Sequence, residues 1–220
     1  MNVLEEVPSR IQTFFFISLF GWVAAYIFHF SRGGKQAFAK NLFLHDFHAV
    51  AVCILASMSI FFNDEAVFSE FTTLSFTLSY FIVDFVDCVI RRDIPFFIHA
   101  LLSLITMVGC GLNPIHRSNR SGSRGAMTEL STYSLHKWQK TKSKTDFIIF
   151  FVLFTACRII WIPYFMWGIY SDSGLDFQMV GGSCIFLLNL FWWFKMVSIL
   201  RNYEERPKQF KSPENEKKGQ

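Results

Sequence analysis

Between Ser79 and Asp93 the chain reads SYFIVDFVDCVIRRD, an apolar run with two carboxylates, Asp84 and Asp87, inside it. A charge at bilayer depth costs on the order of a few kcal/mol unless it is paired, hydrated or protonated. On a helix, Tyr80, Asp84, Asp87 and Arg91 fall at i, i+4, i+7 and i+11, one continuous stripe. Lipid cannot solvate such a stripe, so it belongs against a bundle interior or a hydrated cavity. The rest of the chain must then supply that bundle.

Composition agrees. The 220 residues are 52% hydrophobic and 17% charged, with 28 Phe. A soluble domain carries about a quarter charged residues. Apolar runs recur along nearly the whole length, which predicts an all-α, multi-pass membrane protein. The net charge of +4 is spread over loops and tail, with no basic–aromatic surface, and this excludes a nucleic-acid partner. Cys53, Cys88, Cys110, Cys157 and Cys184 all fall in apolar runs without CxxC spacing, so they read as small core residues and no metal centre is expected. Glu5 and Glu6 precede the first span and no small-residue cleavage site follows it, unlike a cleaved signal.

Long spans are predicted at Thr13–Phe30, Phe47–Phe62, Phe71–Ile90, Ile94–Leu112, Phe147–Tyr170 and Phe177–Leu200. Between the fourth and fifth of these lies GAMTELSTYSLHKW, Gly125–Trp138, polar and about 20 Å long as a helix. Basic residues decide whether it crosses. If it does, Arg32, Lys35, Lys40, Arg91, Arg92, the Lys137–Lys144 cluster and the tail share one face. The other face keeps only Arg10, Arg117, Arg120 and Arg124, beside the acidic turns at Asp64–Glu65 and Asp172–Asp176. About seven crossings, six long and one short and polar, with the C-terminus cytosolic, is therefore the better topology. Residues 1–40 form an N-terminal region with the first helix, 41–202 the main domain, and 203–220 a Lys-, Glu- and Pro-rich tail that reads as disordered.

Inside the spans other polar residues await partners. Glu129, Thr132 and His136 share one face of the short segment, His99 lies early in the fourth span, and Arg158, Asn189 and Lys195 lie in the last two. Arg91 pairs with Asp87 one turn away, while Asp84 needs a cation on another helix, for which Arg158 is the expected partner. Tyr80, Asp84, Asp87, His99, Glu129, Thr132, His136, Arg158 and Asn189 are thus the expected polar cavity. The competing account is an ion-pair lattice that fixes helix order. His45 and His48, with Asp46 between them, have the spacing of metal ligands but begin a span and read as interface residues. Trp161, Trp167, Trp192 and Trp193 read as interface anchors and packing, Gly181-Gly182 as a close helix approach, and RSNRSGSRG as a flexible polar loop.

The arrangement resembles the TLC-domain family, named for TRAM, ceramide synthases and a ceroid-lipofuscinosis protein. HDFHAVAVCIL, LSYFIVDFVDCVI, FFIHALLSL, RGAMTELSTYSLHKW, CRIIWIPYF and LLNLFWWFKM carry the resemblance, roughly from His45 to Leu200. The segment with Glu-Leu-Ser-Thr is the most specific, and the small TLC-domain proteins are the nearest in kind. The resemblance implies a TLC-type bundle around a polar, lipid-accessible cavity. It also implies a role in membrane lipid homeostasis, with membrane lipids as partners and homo- or hetero-oligomers within the membrane. Two readings compete with that one. The first is ceramide synthase-like N-acyl transfer from acyl-CoA to a sphingoid amine. There acyl-CoA would be a substrate, no cofactor is called for, and His99 would be the catalytic residue. The family's second histidine is replaced by Ala100, and Tyr133 and His136 replace a Pro and an Asn, which weighs against catalysis. The second is a cargo or partner adaptor of the endoplasmic reticulum. Lys217 and Lys218 stand fourth and third from the end and resemble the dilysine retrieval signal, favouring the endoplasmic reticulum over the plasma membrane.

Overall fold

The structure, a computed structural model, describes residues 9–62 and 68–203. Lys217, Lys218 and the Asp64–Glu65 turn lie outside the described residues. Helices α1 (Ser9–Gly33), α2 (Ala37–Lys40), α3 (Leu42–Phe62), α4 (Glu70–Arg91) and α5 (Ile94–Leu112) come first. Two short helices follow, α6 (Pro114–Ser118) and α7 (Ser121–Ala126), and then α8 (Leu130–Thr141). Helix α9 (Lys144–Phe154) runs through a π-helical turn, Thr155–Ile160, into α10 (Trp161–Ser173), and α11 (Phe177–Arg201) closes the fold. No strand occurs among the described residues.

Local chemistry sets the ends. The Ser69 hydroxyl caps α4 by accepting from the Thr72 N–H, and Arg92, left-handed at φ 60°, stops it. Pro95 then sits in the first turn of α5, where no helical donor is lost. Ser143 caps α9 and Asp176 caps α11 in the same way as Ser69.

Among the described residues, six helical stretches are long and apolar enough to cross a membrane: Ser9–Lys40, Leu42–Phe62, Glu70–Arg91, Ile94–Leu112, Lys144–Ser173 and Phe177–Arg201. The second is longer than its hydropathy announced. It gains a turn at its N-terminus because His45 and His48 point inward rather than to the interface. The polar segment makes a further pass. At one end the Arg120 guanidinium donates to the Ser59 carbonyl and hydroxyl, near the end of α3. At the other, His136 and Lys140 reach Asp46, near the start of α3. Asp46 and Ser59 are separated by about 20 Å of helix, so residues 120–140 traverse the bundle.

Helices α3, α4, α5, α11, the α9–π turn and α8 form a ring, each packed on the next, with α1 outside against α4. Among the described residues three apolar clusters hold the bundle, one around Trp22, Phe38, Tyr80 and Phe81, one around Val52, Cys53, Ala56 and Ala126, and one around Phe147, Phe150, Phe154 and Met196. Small residues set the closest approach. A Cβ on Gly181 would lie 2.8 Å from the Thr106 hydroxyl of α5, and one on Gly109 would overlap the Gln178 amide of α11. The expected Gly181 contact is therefore present. The stretch RSNRSGSRG departs from expectation. It is no flexible loop: it folds into α6 and α7, and Arg120, Ser121, Gly122 and Ser123 are buried. The cause is Glu70, whose carboxylate accepts from the Gly122 N–H at 2.5 Å, the Ser123 N–H at 3.1 Å and the Ser123 hydroxyl at 2.6 Å.

Candidate functional site

A cavity of about 460 Å³ lies inside the ring. It runs from Ala39, Arg91 and Gln139, at the face that carries Arg32, Lys35, Lys40 and Lys142, inward to Glu129 and Arg158. Phe81, Phe96, Phe150, Phe154 and Trp192 give it mostly apolar walls.

The polar floor is built from three elements. The π turn winds α9 wider than an α-helix, and such turns recur at functional sites. This one presents the Arg158 guanidinium to the short polar segment. Arg158 donates to the Ser131 hydroxyl at 2.9 Å, the Thr132 hydroxyl at 3.1 Å, the Glu129 carboxylate at 3.3 Å and the Asn189 side-chain oxygen at 3.4 Å. Thr132 in turn donates to Glu129 at 2.7 Å. Every polar group of the Glu-Leu-Ser-Thr run thus converges on one arginine, as a buried charge requires.

The walls hold the histidines. Tyr80 stacks on His48 with ring centroids 3.6 Å apart, and its hydroxyl lies 2.7 Å from His45 Nδ1. The other nitrogen of His45 faces the Phe38 carbonyl at 3.2 Å. His136 Nδ1 lies 2.6 Å from Asp46, which also accepts from Lys140 at 3.0 Å. His99 lines the cavity beside Trp192 and Phe81, and among the described residues nothing hydrogen-bonds its Nδ1.

Tyr80, Asp84, His99, Glu129, Thr132, His136 and Arg158 therefore share one cavity. Asp87 and Asn189 do not line it. Asp87 is fully buried behind the wall, its carboxylate 2.5 Å from Arg91, and Asn189 sits under Arg158. The Asp87–Arg91 pair is present as expected. The expected Asp84–Arg158 pair is not: Arg158 is committed to Glu129, and no described residue lies within hydrogen-bond or ion-pair distance of Asp84. The reason is direction, since the π turn aims Arg158 at the short segment rather than at α4.

Other assignments change as well. His45 and His48 belong to the interior. Trp192 lines the cavity, and the Trp193 indole donates to Thr155 in the π turn, so these two are packing residues rather than anchors. Trp167, 69% exposed, keeps an outward position. His45 and Lys195 line the cavity unpredicted as site residues. The i, i+3 spacing of His45 and His48 was the available signal for the first.

A second, apolar recess of about 360 Å³ lies between α3 and α8, lined by Val50, Cys53, Ile54, Met58 and Tyr133, and it shares Glu129 with the first.

The family model of the TLC domain matches residues 6–198. No match is found to a curated protein or to a solved structure.

Proposed function

The chain belongs to the TLC-domain family, and we propose that it holds a membrane lipid in the cavity and acts in membrane lipid homeostasis without catalysing a reaction. The observation that carries this reading is the cavity. Its volume of about 460 Å³ falls within the roughly 300–1,000 Å³ of small-molecule sites. Apolar walls suit acyl chains, and a polar floor satisfied by its own partners gives a headgroup or chain end a fixed surface to meet. The helices around it are apolar enough for lipid to surround them. Location in the endoplasmic reticulum, with the C-terminus cytosolic, rests on Lys217 and Lys218 and on the gathering of basic residues at the face where the cavity begins.

Acyl transfer is the second reading, favoured by the place of His99 in the cavity wall. Two features weigh against it. A histidine base or nucleophile is normally oriented by a hydrogen-bonded third group, and no described residue orients His99. Ala100, at the position of the family's second histidine, is fully buried and does not line this cavity.

The test has two arms. Protein purified in mild detergent should carry lipid into native mass spectrometry, and deletion of the gene should change the cellular lipid profile. Incubated with acyl-CoA and sphingosine, it should yield no more ceramide than His99→Ala protein. Ceramide formed only when His99 is present would make the chain an acyltransferase.

A further inference from the structure

The charges that line the cavity do not cancel where they stand. Glu129 and Arg158 neutralise each other, and Arg91 is held by Asp87 at 2.5 Å and Asp93 at 2.9 Å. Asp46, behind His136, is matched by Lys140. Two lining charges are left, Asp84 on α4 and Lys195 on α11. Among the described residues, neither has an ion-pair or hydrogen-bond partner. Lys195 has only the Phe191 ring, 4.3 Å from its ammonium.

Both stand at similar depth. Asp84 is seven residues inside Arg91, about 10 Å along its helix, and Lys195 is six residues inside Arg201, about 9 Å. They flank α5, whose Phe96 and His99 form the wall between them. Charges of opposite sign at bilayer depth attract strongly if they can touch. Held apart across one cavity, they complement a ligand that carries both signs.

We propose that the cavity selects a zwitterionic phospholipid with a primary ammonium, the ammonium against Asp84 and the phosphate toward Lys195. This rests on the lipid-binding reading above and names the lipid's class. A carboxylate prefers a primary ammonium because it accepts N–H hydrogen bonds, and a trimethylammonium offers none. The apolar walls require chains, so the occupant is the whole lipid and not its soluble head.

The experiment uses the full chain in detergent, equilibrated with an equimolar mixture of phosphatidylethanolamine and phosphatidylcholine and read by native mass spectrometry. Wild-type protein should retain the first over the second by at least about tenfold, the factor that one hydrogen bond to a charged group is worth. Asp84→Asn should bring the ratio to about one, as expected when the lining carboxylate left without an ion-pair partner among the described residues is gone. Lys195→Gln should weaken both phospholipids alike and leave stearylamine, which has no phosphate, unaffected. Equal retention of the two phospholipids by wild-type protein overturns the proposal whether or not the variants fold. Displacement of the lipid by O-phosphoethanolamine at equal concentration overturns the whole lipid as occupant. Retention of no phospholipid at all would instead sink the lipid-binding reading beneath it.

Discussion

Arg158 is the residue on which the interior turns. Its guanidinium reaches the short polar segment and α11 at once, and among the described residues it is the one side chain that forms an ion pair with Glu129. Removing one member of a buried charged set leaves the other uncompensated, at about 3–5 kcal/mol. Arg158→Ala should therefore lower the thermal unfolding midpoint in detergent sharply, and Glu129→Gln added to it should restore part of the loss. Arg158→Ala combined with Asp84→Asn should show simple addition of the two losses. Recovery in that second pair instead would mean that Asp84 is the true partner. A further residue-level expectation concerns Asp176, in the turn before α11. Burial alone would raise its pKa, but the Met179 N–H, His116 at 2.6 Å and Ser173 hold it below the ordinary carboxylate value. A depressed folded pKa adds stability above the unfolded value that is lost as pH falls through the folded one. Unfolding midpoints should thus drop below about pH 4, the ordinary aspartate range, and Asp176→Asn should flatten that acid limb.

At the scale of elements, α7 is held by chemistry that no local pattern announces. Ser- and Gly-rich sequence reads as loop, and the carboxylate that orders it belongs to Glu70, 52 positions earlier. The Asp87–Arg91 pair was legible because both partners lie one turn apart on one helix. The direction of Arg158 was not, because a π turn leaves no mark in hydropathy. The same contrast covers the rest of the site. Tyr80, Asp84, Glu129 and Thr132 could be read from helical spacing, whereas His45 and Lys195 enter the cavity through packing between distant helices. A methyl on Gly122 would stand 2.5 Å from Leu74 and 2.6 Å from Glu70. Gly122→Ala should accordingly cost about 1–3 kcal/mol, the range for overpacking, and Glu70→Ala at least as much by orphaning the α7 donors. Unfolding that leaves both variants at the wild-type midpoint would mean that α7 is not part of the packed core.

For the whole molecule, the traverse of residues 120–140 fixes which loops share a side. In a background without the native cysteines, Lys35→Cys and Ser143→Cys in sealed vesicles should react with a membrane-impermeant maleimide from one side, and Asn119→Cys only from the other. Labelling of Asn119→Cys and Ser143→Cys from the same side would mean that the segment turns back, and the ring around the cavity would have to be redrawn.

That traverse also constrains how the protein is made. Ser121, Ser123, Thr128, Glu129, Ser131, Thr132 and Ser134 leave the segment too polar to enter hydrocarbon as an isolated helix. Its ligands come from both ends of the chain: Ser59 and Glu70 are synthesised before it, Arg158 and Asn189 after it. Membrane insertion therefore cannot proceed strictly in order of synthesis. A chain truncated after Thr141 should leave this stretch on the side where it emerged, and only completion of the last two hydrophobic passes should draw it across.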